Sequence, residues 1–275
     1  MKKILKKALC GVLAIAATVS SLGVFTSCTT DNPEVEIKIS FDDETYTLNY
    51  KLYRKLAPST VKHFLALAEN NYYDGLCVHD FDKGDKMYTG GYDFVAGGDD
   101  GGLVYKNYYD VVKTYKEFPH TVWTDENKSD PTYTLYGEFS DNGRVIESGA
   151  LKQSFGALTM FYTEKNTEER VAILRGDGNG VSYKDYKYNS ATSLFSISLA
   201  SEEKTSKAYC TFATLENADE LKDLLAAIEE YSDFVSAYSV EINSDDRYVG
   251  DHGVEVSYNV PTEAIIIKSV KVTKY

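Results

Sequence analysis

Basic residues are in short supply. The chain has 29 lysines and arginines against 42 aspartates and glutamates, a formal net charge of −13. Phosphate recognition needs clustered cations, so this balance argues against nucleic acid as a partner. It argues equally against charge-driven attachment to anionic lipid. Proline is scarce, at five residues, and no segment is of low complexity, which excludes a disordered linker protein. No internal repeat is visible, which excludes a solenoid or propeller array. No nucleophile elbow or other Ser/His/Asp spacing is present, so nothing points to a hydrolase.

Cysteine is rare as well. Of four cysteines, Cys10 and Cys28 lie near the N-terminus, leaving Cys77 and Cys210 for the body of the protein. Those two could close one disulfide in an oxidising compartment. Nothing in the sequence brings them together, and buried free thiols are the reading adopted. Asp177-Gly178-Asn179-Gly180 has the look of a calcium loop. It lacks the third acidic position and the closing glutamate, and it reads as a turn. Neither metal nor cofactor is expected.

What is present is tyrosine, 23 of 275 residues, within an ordinary 43% apolar and 26% charged composition. Tyrosine suits strands, so the bias favours a β-rich fold. The chain opens with a basic head, Met1 to Lys7, then an apolar run from Ala8 to Phe25, then Thr26-Ser27-Cys28. That is the layout of a secretory signal. A cysteine directly after small residues resembles a bacterial lipoprotein signal, with residues 1–27 removed and Cys28 carrying lipid. An uncleaved anchor or a plain cleaved signal are the alternatives, and all of them place the rest outside the cytoplasm. Residues 28–34 read as a tether.

Beyond it, Val35 to Phe41 alternates as a half-buried strand and Thr45 to Leu52 returns as its hairpin partner. Pro58 opens a helix whose apolar stripe is Val61, Phe64, Leu65 and Ala68, and Asn70-Asn71 ends it. Leu76 to Val78 and Tyr92 to Ala96 read as strands, with Asp82 to Gly91 as a polar loop between them. Residues 103–131 read as a long irregular excursion, and 163–187 as a polar insertion. Gly156 to Phe161, Ser193 to Leu199, Ala208 to Phe212 and Ala264 to Thr273 read as further strands. Asn217, with Glu220 three residues on, predicts a capping box opening a helix striped by Leu221, Leu224, Leu225 and Ile228. About eight strands in runs, with two helices near opposite ends, predict an antiparallel sheet or closed barrel.

Several stretches occur in the order found in one family. LAPSTVKHFLALAENNYYDG comes first, then Val78-His79, Gly97-Gly98-Asp99, Tyr136-Gly137-Glu138-Phe139, Gly156 to Met160 and Phe195 to Leu199. This series resembles the cyclophilin-type peptidyl-prolyl cis-trans isomerases over roughly Val35 to Val272. The resemblance implies a single domain over 35–275, mainly β, a closed eight-stranded antiparallel β-barrel with a helix at each end and a substrate groove on its outer face. It goes with a monomer that acts on proline-containing peptides or exported proteins; the N-terminal signal layout, not this resemblance, adds the expectation of a lipid anchor at the membrane of the bacterial envelope.

The family's catalytic arginine follows its histidine; here Asp80 follows His79. The pocket and groove positions correspond to Asp93 and Ala96, with Phe94 or Tyr92 as alternatives if the register slips, and to Leu194, Phe195, Ser196 and Tyr209. An ionised carboxylate accepts hydrogen bonds and donates none. No catalytic residue is therefore retained, and the expectation is weak isomerase activity, or a non-catalytic peptide- or protein-binding module. Arg144, between the two insertions, and Arg170 and Arg175, in the second, are the candidates to replace the lost cation. His79 reads as a structural strand-end histidine.

Overall fold

A computed structural model describes residues 32–140, 151–160, 170–174, 180–185, 192–204, 209–241 and 255–275. The signal segment, Cys28 and residues 177–179 of the calcium-like turn lie outside the described residues. No helix among the described residues is long and apolar enough to cross a membrane.

Strands β1 (Glu34–Phe41) and β2 (Glu44–Leu52) form the opening hairpin, in unbroken register from Glu34↔Lys51 to Phe41↔Glu44. Every second residue of β1 is buried, as the alternation requires. Helix α1 (Pro58–Glu69) buries Val61, Phe64, Leu65 and Ala68, and Asn70 caps its C-terminus. Its N-cap, Ala57, has no capping side chain. Glu138, 78 residues beyond Thr60, does that work from a distance. Its Oε2 accepts from the Thr60 amide and hydroxyl, both at 2.8 Å, and its Oε1 from the Ser59 amide at 3.2 Å. The carboxylate also faces the positive end of the helix dipole.

Strands β3 (Leu76–Asp82) and β4 (Lys86–Phe94) pair directly. The polar stretch read as a loop from Asp82 to Gly91 is therefore mostly strand. Its polar residues occupy a strand that still buries Met87, Thr89 and Tyr92. Residues 103–131 are not irregular throughout either. They carry β5 (Leu103–Tyr105), α2 (Tyr108–Val112) and β6 (Val122–Trp123). Tyr108, Val112, Phe118, Val122 and Trp123 are buried, and Phe118 packs edge-on to His63 of α1 at 5.2 Å between ring centres. The excursion is a cover over α1.

The remaining elements are β7 (Leu158–Met160), β8 (Arg170–Leu174), β9 (Val181–Asp185), β10 (Phe195–Ser198), β11 (Cys210–Leu215), α3 (Ala218–Glu229), β12 (Val235–Glu241), β13 (Glu255–Pro261) and β14 (Ile266–Lys274). The strand order is β10-β7-β11-β2-β1-β14-β3-β4, and β4 pairs back onto β10 to close an eight-stranded antiparallel barrel. Strand β5 continues outward from β4, while β6, β8 and β9 form a separate sheet. The closed barrel expected from the sequence is present, with three helices among the described residues where two were expected. At the closing seam, Gly90 has φ 99°, and a Cβ there would lie 2.3 Å from the Ser193 carbonyl oxygen. Only glycine fits.

The capping box at Asn217 does not form. The Asn217 side chain makes no cap bond; its Oδ1 accepts from the Asn49 amide at 2.8 Å and its Nδ2 donates to the Thr47 carbonyl at 2.7 Å. Glu220 Oε2 accepts from the Thr47 amide at 3.1 Å. Strand β11 pairs with β2 only at residues 50–52, so the backbone of β2 beyond that point needs partners. Asn217 and Glu220 supply them and tie α3 to the barrel. The sequence reading placed nothing between α3 and the last strand. The structure has a hairpin there, β12 with β13, paired from Val235↔Pro261 to Glu241↔Glu255.

The main core runs through the barrel, with Phe64 of α1 5.5 Å from Phe195 and 5.1 Å from Phe212 between ring centres. Leu221, Leu224 and Ile228 of α3 join the same cluster. A smaller cluster of Cys77, Tyr92, Leu103 and Val260 lies between β3, β4 and the β12–β13 hairpin. Cys77 and Cys210 are buried, one in each cluster, and neither is in a disulfide.

Candidate peptide groove

Residues directly opposed on antiparallel strands share one face of a sheet. The register therefore builds a row across the outside of the barrel: Asp80 on β3, Tyr88 on β4, Ser196 on β10, Thr159 on β7 and Thr211 on β11. The neighbouring row, Phe81, Met87, Ile197 and Leu158, points into the core and is buried. The outer row is polar. Thr159 and Thr211 share a hydroxyl hydrogen bond at 3.0 Å, and Ser196, Thr159 and Thr211 are buried. Tyr209 stands at the margin, exposed, with Lys86 Nζ 5.5 Å from its ring and 6.0 Å from that of Tyr88. Burial pushes the Tyr88 phenol well above its ordinary value, with Tyr209 and nearby carboxylates adding to the effect.

The residues singled out in the sequence divide into three groups. Asp80, Ser196 and Tyr209 come together on this face. Phe195 points the other way, fully buried in the core against Phe64 and Tyr73, and Leu194 lies against Gly91. Asp93, Phe94 and Ala96 are elsewhere. Asp93 and Phe94 end β4 opposite Val104 and Leu103. Phe94 and Ala96 line a separate cleft of about 600 Å³ with Asp42, Asp43 and Glu263. Six residues separate Tyr88 from Phe94, a run of roughly 20 Å along a strand. The Gly-Gly pair pressed against the approach to β10 is Gly90-Gly91, not Gly97-Gly98. Arg144 and Arg175 lie outside the described residues, and Arg170 is described only as the start of β8.

Beside the row, His79 is enclosed. Its ring lies 4.8 Å from Tyr92 and 5.0 Å from Tyr258 of β13 between centres, and its Nδ1 has no hydrogen-bond partner. Burial pushes the imidazole down to about 3, so it is neutral at pH 7 and ill placed to exchange protons. Asp80 Oδ1 accepts the backbone amide of Asn259 on β13 at 2.9 Å. Partial burial raises its carboxyl pKa, against the lowering effect of that amide. The carboxylate that replaces the expected cation is thus a docking point for the β12–β13 hairpin.

Sequence reasoning missed Tyr88, Thr159, Thr211, Tyr258 and Asn259. The first three become neighbours only through strand pairing between distant segments, which leaves no local signal. Tyr258 and Asn259 belong to the hairpin that was not anticipated.

The family model described as cyclophilin type peptidyl-prolyl cis-trans isomerase/CLD matches residues 35–271. A search of curated proteins found no match. Among solved structures, a cyclophilin type peptidyl-prolyl cis-trans isomerase from Cryptosporidium parvum is similar at 17% identity and a TM-score of 0.46, covering 89% of this chain and 99% of that one. A structure of that enzyme determined in the presence of the dipeptide Ala-Pro is similar at 17% identity and a TM-score of 0.45, covering 88% and 99%. With a family match that spans nearly all of the described barrel, the chain belongs to the cyclophilin-type peptidyl-prolyl cis-trans isomerase family.

Proposed function

We propose that this protein is a lipid-anchored family member outside the cytoplasmic membrane that engages proline-containing segments of exported polypeptides, with weak turnover at most. One observation carries the reading: the position after His79 holds Asp80, and its carboxylate is bonded to the Asn259 amide. Rotation about an X–Pro bond must break amide resonance, a barrier of about 18–20 kcal/mol for peptide bonds generally. A catalyst lowers it by gripping the proline ring in an apolar hollow and donating to the twisted amide. Asp80 donates nothing when ionised, and Tyr88, Ser196 and Thr159 offer hydroxyls where grease is needed. Loss of one such donor costs about a hundred- to a thousandfold in rate.

The anchor rests on the basic head, the apolar run and Cys28. The partner class rests on the family. A protease-coupled assay on an Ala-Pro-Phe peptide, run beside a direct binding measurement with the same peptide, tests the reading: binding with little turnover supports it.

A further inference from the structure

The two ends of the barrel differ in charge, and the N-terminal segment enters at one of them. Glu34 opens β1 opposite Lys51 of β2 and Lys274 of β14. Just before it, the Pro33 carbonyl accepts the Leu52 amide at 2.8 Å, so the chain is fixed from Pro33 onward. Helix α1 lies at this end, where the Tyr275 hydroxyl donates to Glu69. Lys55, Lys62 and Lys274 are exposed here, and Lys51 and Arg54 half-buried. Against them stand Glu34, paired with Lys274 at 2.6 Å, Glu69 and Asp74. In the cover over α1, Lys113 and Lys116 balance Asp110 and Glu117.

At the far end of β1 the balance is reversed. The turn between β1 and β2 carries Asp42, Asp43 and Glu44, all exposed. Tyr231 and Phe234 pack on Phe41 at 5.4 and 5.7 Å between ring centres, which brings the exposed Glu230 and Asp233 to the same end. Glu263 borders one cleft with Asp42 and Asp43. Among the described residues Lys268 and Lys83 oppose this charge, and Lys83 is paired with Glu229 at 3.5 Å.

The reach of the tether limits how such a body can sit on a membrane. The chain from Cys28 to Pro33 spans at most about 18 Å. The length of β1 separates the two ends by about 24 Å. Held at Cys28, the barrel cannot turn its acidic end to the membrane, because Pro33 would then stand farther away than the tether reaches. It can stand upright or lie on its flank. Lying down brings the Asp42 to Glu44 turn within a Debye length of the surface, about 8 Å at physiological salt, and anionic lipid opposes that.

We propose that the α1 end is a membrane-contact surface, on which Lys51, Lys55, Lys62 and Lys274 meet anionic phospholipid headgroups and the acidic end points away. The anchor is the one proposed above, and the orientation rests on it. A net charge of −13 opposes attachment by charge; the lipid chain holds the protein and the cations set its direction. Exposed Tyr275 suits the headgroup level. The row from Asp80 to Thr211 lies on the barrel wall, at neither end, so this contact does not cover it.

The test uses the full lipidated chain, in neutral detergent and in phosphatidylglycerol vesicles, with lysine acetylation read residue by residue by mass spectrometry. Relative to Lys83 and Lys268, Lys55, Lys62 and Lys274 should react at least about fivefold more slowly in the vesicles than in detergent, and the protection should shrink in phosphatidylcholine vesicles. In a Lys62→Glu/Lys274→Glu variant of unchanged Tm, Lys55 should lose its protection. A chain that floats with the vesicles yet shows equal protection at both ends, or keeps Lys55 protected in the variant, overturns the charge-set orientation and leaves the anchor standing. A chain that does not float with the vesicles overturns the anchor and the contact surface with it.

Discussion

Asp80 and Asn259, 179 residues apart in sequence, are joined by one hydrogen bond of 2.9 Å from the β13 amide to the β3 carboxylate. The bond makes sense of a substitution that otherwise reads only as damage. A cation at position 80 would be suited to an amide carbonyl; a carboxylate is suited to an amide N–H. The chain carries the carboxylate together with the hairpin that uses it.

Putting the cation back should therefore do more harm than good. Arginine has five donors and no acceptor, so Asp80→Arg cannot hold the Asn259 amide. We expect a lower Tm and a gain in kcat/KM on Ala-Pro-Phe of no more than about tenfold, because Tyr88 and Ser196 still leave no apolar hollow. A gain of a thousandfold at unchanged Tm would show that the charge alone had been lost.

Glu138 should matter to stability and not to chemistry. It is buried and holds three donors at the start of α1. Glu138→Ala leaves those donors unsatisfied and should cost about 1.5–3 kcal/mol, the range for hydrogen bonds to a charged group. Urea unfolding measures this, and a loss below about 0.5 kcal/mol, the scale of an ordinary surface substitution, would contradict the capping role.

Acid should loosen the fold before its carboxylates titrate. Burial lowers His63 to about 4 and His79 to about 3 from an ordinary 6.5. The unfolded chain then binds protons below pH 6.5 that the folded chain refuses, so stability falls as pH drops through that value toward about 3. At pH 5 the loss should be about 2 kcal/mol for each imidazole. Urea midpoints at pH 7.5 and pH 5 read it directly, and a His79→Phe variant should lose about half as much. Equal midpoints at the two pH values would mean that the imidazoles are not buried neutral.

Local signals in the sequence were readable and distant ones were not. The β1 alternation, the α1 stripe and the Asn70-Asn71 stop are each set within a few residues, and each appears where the pattern put it. Asn217 and Glu220 carry a genuine cap pattern, yet the unpaired backbone of β2 claims both side chains. The polar segment from Asp82 to Gly91 hid a strand because its partners, β3 and β10, are fixed by tertiary closure. The groove suffered most. Matching Gly-Gly-Asp at 97–99 drew attention to Asp93, Phe94 and Ala96, whereas the strand that meets β10 carries Tyr88 and Gly90. The family motif was recognisable, but the spacing from His79 was not enough to choose between two glycine pairs.

The anchor can be checked by one atom. Cys28→Ser removes the thiol that would carry lipid. We expect the protein to move from the membrane fraction to the soluble extracytoplasmic fraction, with loss of metabolic labelling by palmitate. Retention in the membrane by the unlabelled variant would point to an uncleaved anchor instead.

The most direct test of the account is turnover by the unaltered protein on an Ala-Pro-Phe peptide in the protease-coupled assay. We predict a cis-to-trans rate close to the uncatalysed one, which takes tens to hundreds of seconds, and no change in it when Asp80 is replaced by Ala. Turnover well above background that disappears on changing Asp80 or Ser196 would show a working active site where the structure places a docking point.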